Sequence, residues 1–138
     1  MEISYEEKGD YFRGLLILIG KDNNINQHER NSILEIGERL GFENKFCNEA
    51  VENFLENKYI DLGPPKFSSD TVARKFLDDA IDLSLVDNDV HTEELEWLQN
   101  VAKKNNISKN WLDNRLKASL VKYNNNNLNK MKSEINLT

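Results

Sequence analysis

The sequence of 138 residues has few of the features that build disulfides, membrane spans or secretory signals. Its single cysteine, Cys47, excludes an intramolecular disulfide and a cysteine-based zinc site. The longest apolar run, Leu15 to Ile19, is far shorter than the roughly 18 residues that a membrane span needs. The first residues lack a basic region followed by an apolar stretch. We therefore expect a cytoplasmic protein without a transmembrane segment.

Basic residues are fewer than acidic residues in this sequence. The chain has 18 Lys and Arg against 24 Asp and Glu, which gives a net charge of −6. Nucleic acids attract basic surfaces, so this balance argues against nucleic-acid binding. The sequence contains no Gly-rich phosphate loop, no Gly-x-Ser-x-Gly elbow and no His-Glu-x-x-His helix. We therefore predict that the protein is not an enzyme.

The strongest positive signal is helical periodicity. Apolar residues such as Ala50, Val51 and Phe54 recur every three to four positions, which is the pattern of one buried helix face. No stretch alternates apolar and polar residues as a half-buried strand does. The sequence predicts an all-α bundle of six to seven helices, near residues 5–20, 27–41, 45–58, 70–86, 92–105, 109–122 and, for the short seventh, 127–136.

A proline pair divides this helical pattern. The run Gly63-Pro64-Pro65 cannot continue a helix, because proline lacks an N–H group and pushes its predecessor to extended geometry. It predicts a linker over 59–69. We expect a single domain over 1–138 with a C-terminal tail at 123–138.

The two sides of this linker share one pattern of apolar positions. With an offset of 65 residues, positions about 11–55 fall on positions 76–120 without a gap. Such self-similarity predicts two three-helix repeats related by a pseudo-twofold axis. The matched pairs are Tyr11 with Phe76, Phe12 with Leu77, Leu16 with Ile81, Leu18 with Leu83, Ile25 with Val90, Ile33 with Leu98, Ile36 with Val101, Phe42 with Ile107, Phe46 with Trp111, Val51 with Leu116 and Leu55 with Leu120.

An acidic loop recurs between the first and second helices of each repeat, over 21–29 and 86–94. Helix capping explains its residues without any ligand, since Asp and Asn close turns and begin helices. In the first copy, Asn26 is the predicted N-cap and Glu29 its capping-box partner. Such capping is typically worth about 1 kcal/mol per helix.

The alternative is a divalent-cation site, because carboxylate and amide oxygens are the ligands that calcium and magnesium prefer. Neither loop completes an EF-hand, since Gln27 or Thr92 occupies the position that requires glycine. The candidate ligands are Asp22, Asn24 and Glu29 in the first loop and Asp87, Asp89 and Glu94 in the second.

At these loops the sequence resembles the TerB-like family, the helical domain of tellurite-resistance protein B and its relatives. The resemblance covers about residues 10–120. It implies an all-α pseudo-symmetric fold, a metal-binding acidic loop, and a role in stress response or as an interaction module without an established enzyme activity. The residues that carry it are Asp22, Ile25 and Glu29, their counterparts Asp87, Val90 and Glu94, and the segments 64–68 and 91–98.

We therefore expect a non-enzymatic interaction or stress-response module with an unknown protein partner, whose acidic loops bind calcium or magnesium weakly. A metal-assisted enzyme that uses the loop at 87–94 stays open as an alternative, as does a structural domain that forms a homodimer. Asp78, Asp79 and Asp82 give the fourth predicted helix an acidic face. That face is either solvated or a docking surface for a basic partner.

Overall fold

The computed structural model describes residues 3–21, 25–56, 63–85 and 92–135. Within these ranges the regular structure consists of six α-helices and no strands, which confirms the all-α prediction there. None of the described helices is long and apolar enough to cross a membrane. The helices are α1 (Tyr5–Ile19), α2 (Gln27–Arg39), α3 (Asn44–Glu56), α4 (Asp70–Ser84), α5 (Thr92–Lys104) and α6 (Lys109–Ile135).

Side chains with short polar groups begin four of these helices. Ser4, Asn26, Ser69 and Ser108 each accept a hydrogen bond from the backbone N–H three residues later, at 2.8–3.2 Å. Each bond satisfies one of the N–H groups that have no partner inside the first helical turn. These four residues therefore fix where α1, α2, α4 and α6 start.

Helices α2 and α5 end in the same way. Gly41 has φ of 95° and Asn106 has φ of 56°, so both lie in the left-handed region that glycine and asparagine tolerate best. The next N–H then bonds back to the carbonyl five residues earlier, at 3.0 Å from Phe42 and 2.8 Å from Ile107. This is the Schellman pattern, which satisfies the last carbonyls of a helix.

Helices α1 and α4 lie at the centre of the bundle. They contact each other, α1 also contacts α2 and α5, and α4 also contacts α2, α5 and α6. The rings of Tyr11 and Phe76 meet edge to face at this crossing, with centroids 5.1 Å apart. Burial of apolar surface here and along the flanking helices is the main stabilising contribution. The most deeply buried side chains are Tyr11, Leu15, Leu18, Ile19, Ile33, Val51, Phe76, Leu77, Ile81, Leu83, Leu98 and Leu112.

The helix bounds keep the sequence offset. Adding 65 to the bounds of α1 gives those of α4, and adding 65 to the bounds of α2 gives those of α5. Helices α3 and α6 also start 65 residues apart, at Asn44 and Lys109. We call α1–α3 the first half and α4–α6 the second half.

The C-terminal region differs from the prediction. Instead of separate helices at 109–122 and 127–136, α6 continues without a break from Lys109 to Ile135. The Asn124–Asn127 run contains no proline or glycine. Asparagine lowers helix propensity by under about 0.7 kcal/mol per residue, which weakens a helix but does not interrupt it.

Candidate functional site

Most of the predicted metal ligands lie outside the described residues. Asp22, Asn24, Asp87 and Asp89 fall in the ranges that the structure does not describe. Within the described ranges, no three His, Cys, Asp or Glu side chains lie together as a metal site would require. Metal binding by the acidic loops therefore stays a prediction.

The two remaining predicted ligands, Glu29 and Glu94, are buried at equivalent places in α2 and α5. Each is 3% exposed. Glu29 completes the predicted capping box, because its Oε1 accepts the N–H of Asn26 at 3.1 Å while Asn26 Oδ1 accepts the N–H of Glu29 at 2.8 Å. The predicted capping box of the first loop is therefore confirmed for Asn26 and Glu29.

The acidic face predicted for α4 is divided between two environments. Asp79 is buried, and the hydroxyl of the buried Tyr11 donates a hydrogen bond to its Oδ2. Arg39 and Lys75 each place a cationic nitrogen 3.5 Å from its Oδ1. Asp82, by contrast, is exposed. A buried carboxylate needs such partners, because an unpaired charge in the interior is costly.

These surroundings raise the pKa values of two side chains, Tyr11 and Asp82. Burial, followed by the hydrogen bond to Asp79, raises the pKa of the Tyr11 phenol above its ordinary value of 10.0. Partial burial, followed by the nearby charges of Asp79 and Asp78, raises the pKa of Asp82. The sequence pattern gave no indication of the Tyr11–Asp79 pair, because nothing in helical spacing shows which side chains meet across two helices.

The described surface has an apolar groove between α1 and α3. Its volume is about 630 Å³, and its walls are mainly aromatic and aliphatic. Two large apolar side chains at its mouth are solvated, with Tyr5 75% exposed and Phe46 46% exposed. Clustered apolar groups of this kind mark interaction sites more often than isolated ones do. The groove is lined by Tyr5, Glu6, Gly9, Asp10, Phe12, Arg13, Leu16, Phe46, Ala50, Asn53 and Phe54.

In the second half, α4 and α6 are in contact, and two arginines cover the aromatic ring beside them. The guanidinium of Arg74 lies 4.8 Å from the Trp111 ring centroid, and that of Arg115 lies 5.3 Å from it. Arg115 also donates two hydrogen bonds to Asp78, at 2.8 and 2.7 Å. Cation–π contacts and a bidentate ion pair together hold α6 against α4.

The first half differs from this arrangement in its side chains and in its packing, since the backbones of α1 and α3 approach each other less closely than those of α4 and α6. Gly9 stands where the second half has Arg74, and Ala50 stands where it has Arg115. A Cβ atom added to Gly9 would meet nothing within 4 Å. The first half thus keeps an aromatic residue, Phe46, at the position of Trp111, but lacks the two long side chains that would cover it.

Three further side chains belong to the core or lie at its edge. Cys47 is 1% exposed among core residues, and burial raises the pKa of its thiol. Trp97 is 4% exposed and belongs to the core. Trp111 is only half-buried and serves as the platform for the two arginines.

Comparisons with known proteins leave the family open. The chain matches no protein-family model, no curated protein and no solved structure. The resemblance to the TerB-like family therefore stays a prediction, and function has to be argued from the groove.

Proposed function

We propose that the protein is a non-enzymatic interaction module of TerB-like type that binds a helical segment of a partner protein in the groove between α1 and α3. The observation that supports this most is the contrast between the two halves. Helices α4 and α6 are in contact and Arg74 and Arg115 cover the Trp111 ring, while the space between α1 and α3 holds an apolar groove of about 630 Å³.

The dimensions of the groove favour a helix as its occupant. Its lining extends from Tyr5 to Leu16 on α1 and from Phe46 to Phe54 on α3. At 1.5 Å per residue these stretches are roughly 12 to 17 Å long, the length of two to three helical turns. Amphipathic helices bind in apolar grooves through anchors at positions i, i+3, i+4 and i+7.

The halves support an origin by duplication. Three observations favour two copies of one three-helix unit. The first two helices of each half have bounds that differ by 65 residues, Ser4 and Ser69 are equivalent N-caps, and the left-handed residues Gly41 and Asn106 are also 65 residues apart. Duplication would supply two equivalent inter-helix spaces. On this proposal, the second half closed its space and the first half kept its space for a partner.

A designed peptide tests the proposed function. We would use a capped, leucine-striped helical peptide with a neutral polar face and measure its binding by calorimetry. We expect Ala50→Trp, which fills the groove, to abolish binding, and Ala118→Trp, an exposed alanine on α6, to leave it unchanged. Equal binding by the two variants would contradict the proposed site.

A further inference from the structure

The charges beside the groove specify which kind of helix it fits. We infer that the partner helix is basic and presents an arginine or lysine to Glu6 and Asp10 on the α1 side of the groove. This inference rests on the proposed function, because it assumes that a helix binds there. It concerns the charge of the occupant rather than its presence.

The α1 side of the groove is acidic. Glu6 and Asp10 both line it and lie four residues apart, so their carboxylates fall on the same helix face. The lining contains one cationic side chain, Arg13, whose Nη2 lies 2.5 Å from Asp10 Oδ1. One carboxylate is thus already paired, and the lining keeps an excess of one negative charge.

The second half shows one way in which this bundle pairs a cation with both a ring and a carboxylate. There the Arg115 guanidinium lies between the Trp111 ring of α6 and the Asp78 carboxylate of α4. The first half has the Phe46 ring of α3 at the position of Trp111, but it has Arg13 at the position of Asp78. Its carboxylates, Glu6 and Asp10, therefore come from other positions on α1, and a cation from the partner would lie beside them at the edge of the groove.

The overall charge favours a different protein over a second copy of this chain. Each chain carries a net charge of −6, so two copies repel each other at low ionic strength. A basic helix is attracted by the same field. Self-association is therefore an outcome that the test must separate from binding of a basic helix.

Two peptides with one leucine stripe provide the test. One carries arginines beside the stripe and the other carries glutamates at the same positions. We expect the wild-type protein to bind the arginine peptide at least threefold more tightly, because an exposed ion pair changes affinity about two- to fivefold. The preference should shrink in 500 mM salt, which screens exposed charges.

Charge reversal supplies the matched control. In the double variant Glu6→Lys and Asp10→Lys we expect the preference to invert, while Glu93→Lys with Glu96→Lys, exposed positions on α5, should leave it unchanged. Equal binding of the two peptides would overturn the inference and leave the proposed function standing. Failure of both peptides to bind, or binding only to a second copy in sedimentation experiments, would overturn both.

Discussion

The two halves of the bundle share the bounds of their first two helices and the start of the third, and they differ in what lies between the first and third helices. In the second half, Arg74 and Arg115 cover Trp111 and hold α4 and α6 together. In the first half, Gly9 and Ala50 leave the corresponding space open. The comparison teaches that the two halves differ both in these two side chains and in helix packing, because the backbones of α4 and α6 approach each other more closely than those of α1 and α3.

A second difference lies at the crossing of α1 and α4. Tyr11 and Phe76 occupy equivalent positions and contact each other, but their opposite neighbours differ. Tyr11 donates to Asp79, whereas the ring of Phe76 lies over Gly14, where an added Cβ would come within 2.9 Å of it. One side of the crossing is therefore polar and the other apolar.

The largest expected change in the free energy of unfolding comes from core substitutions, which test whether both halves share one core. Ile33 and Leu98 are equivalent and fully buried, so Ile33→Ala and Leu98→Ala should each cost about 2–5 kcal/mol. Both tryptophans, Trp97 and Trp111, lie in the second half. In urea unfolding, Ile33→Ala should shift tryptophan fluorescence and circular dichroism together. A shift seen by circular dichroism alone would show that the halves unfold separately.

The next effect concerns the polar side of the crossing. Tyr11→Phe removes a buried hydrogen bond to a carboxylate and should cost about 1.5–3 kcal/mol by urea unfolding. Tyr5→Phe is the control, since Tyr5 is 75% exposed and should change stability by less than about 0.5 kcal/mol.

The same variant has a pH signature. Because the Tyr11 pKa is raised in the folded protein, the folded state keeps a proton that the unfolded state loses above pH 10.0. The free energy of unfolding should therefore fall as the pH rises past that value. Tyr11→Phe should show a smaller fall, and an equal fall would contradict the account of this pair.

A smaller effect separates capping from metal binding at the first acidic loop. Asn26→Ala should cost about 1 kcal/mol, whereas Glu29→Gln keeps a capping side chain and should cost less. The melting temperature is measured with and without millimolar calcium or magnesium. On the capping interpretation, metal leaves all three proteins unchanged. Stabilisation of the wild type alone would instead support the metal site.

The smallest effect concerns Asp82. Its raised pKa means that the charged form is disfavoured in the folded protein, so stability is lost as the pH rises from about the ordinary value of 3.8 through the raised value. Asp82→Asn should be slightly more stable than the wild type at pH 7. The difference should vanish near pH 3, where the carboxyl is protonated in both states. A difference that persists there would have another cause.

The helices were predictable because each depends on local chemistry. Apolar spacing and capping side chains such as Asn26 act within a few residues, so the helices that they form can be predicted from the sequence. The continuity of α6 was missed because the Asn124–Asn127 run resembles a loop by composition while still permitting a helix.

The candidate site was harder to predict because it depends on differences between the halves. The repeat was predicted from apolar positions that agree, such as Ile33 with Leu98. The groove arises where the halves disagree, at Gly9 against Arg74 and Ala50 against Arg115. Those pairs were visible in the aligned sequence, but their meaning required the distance from each guanidinium to the Trp111 ring. The Tyr11–Asp79 hydrogen bond joins residues far apart in sequence, so no local sequence pattern predicts it.

The most direct measurement is an amide NMR titration of the wild-type protein with the arginine-bearing helical peptide. Saturable shifts should concentrate at Gly9 and Ala50 and spare their counterparts, the amides of Arg74 and Arg115. Shifts of equal size in both halves, or none at Gly9 and Ala50, would contradict the assignment of the groove between α1 and α3 as a docking site.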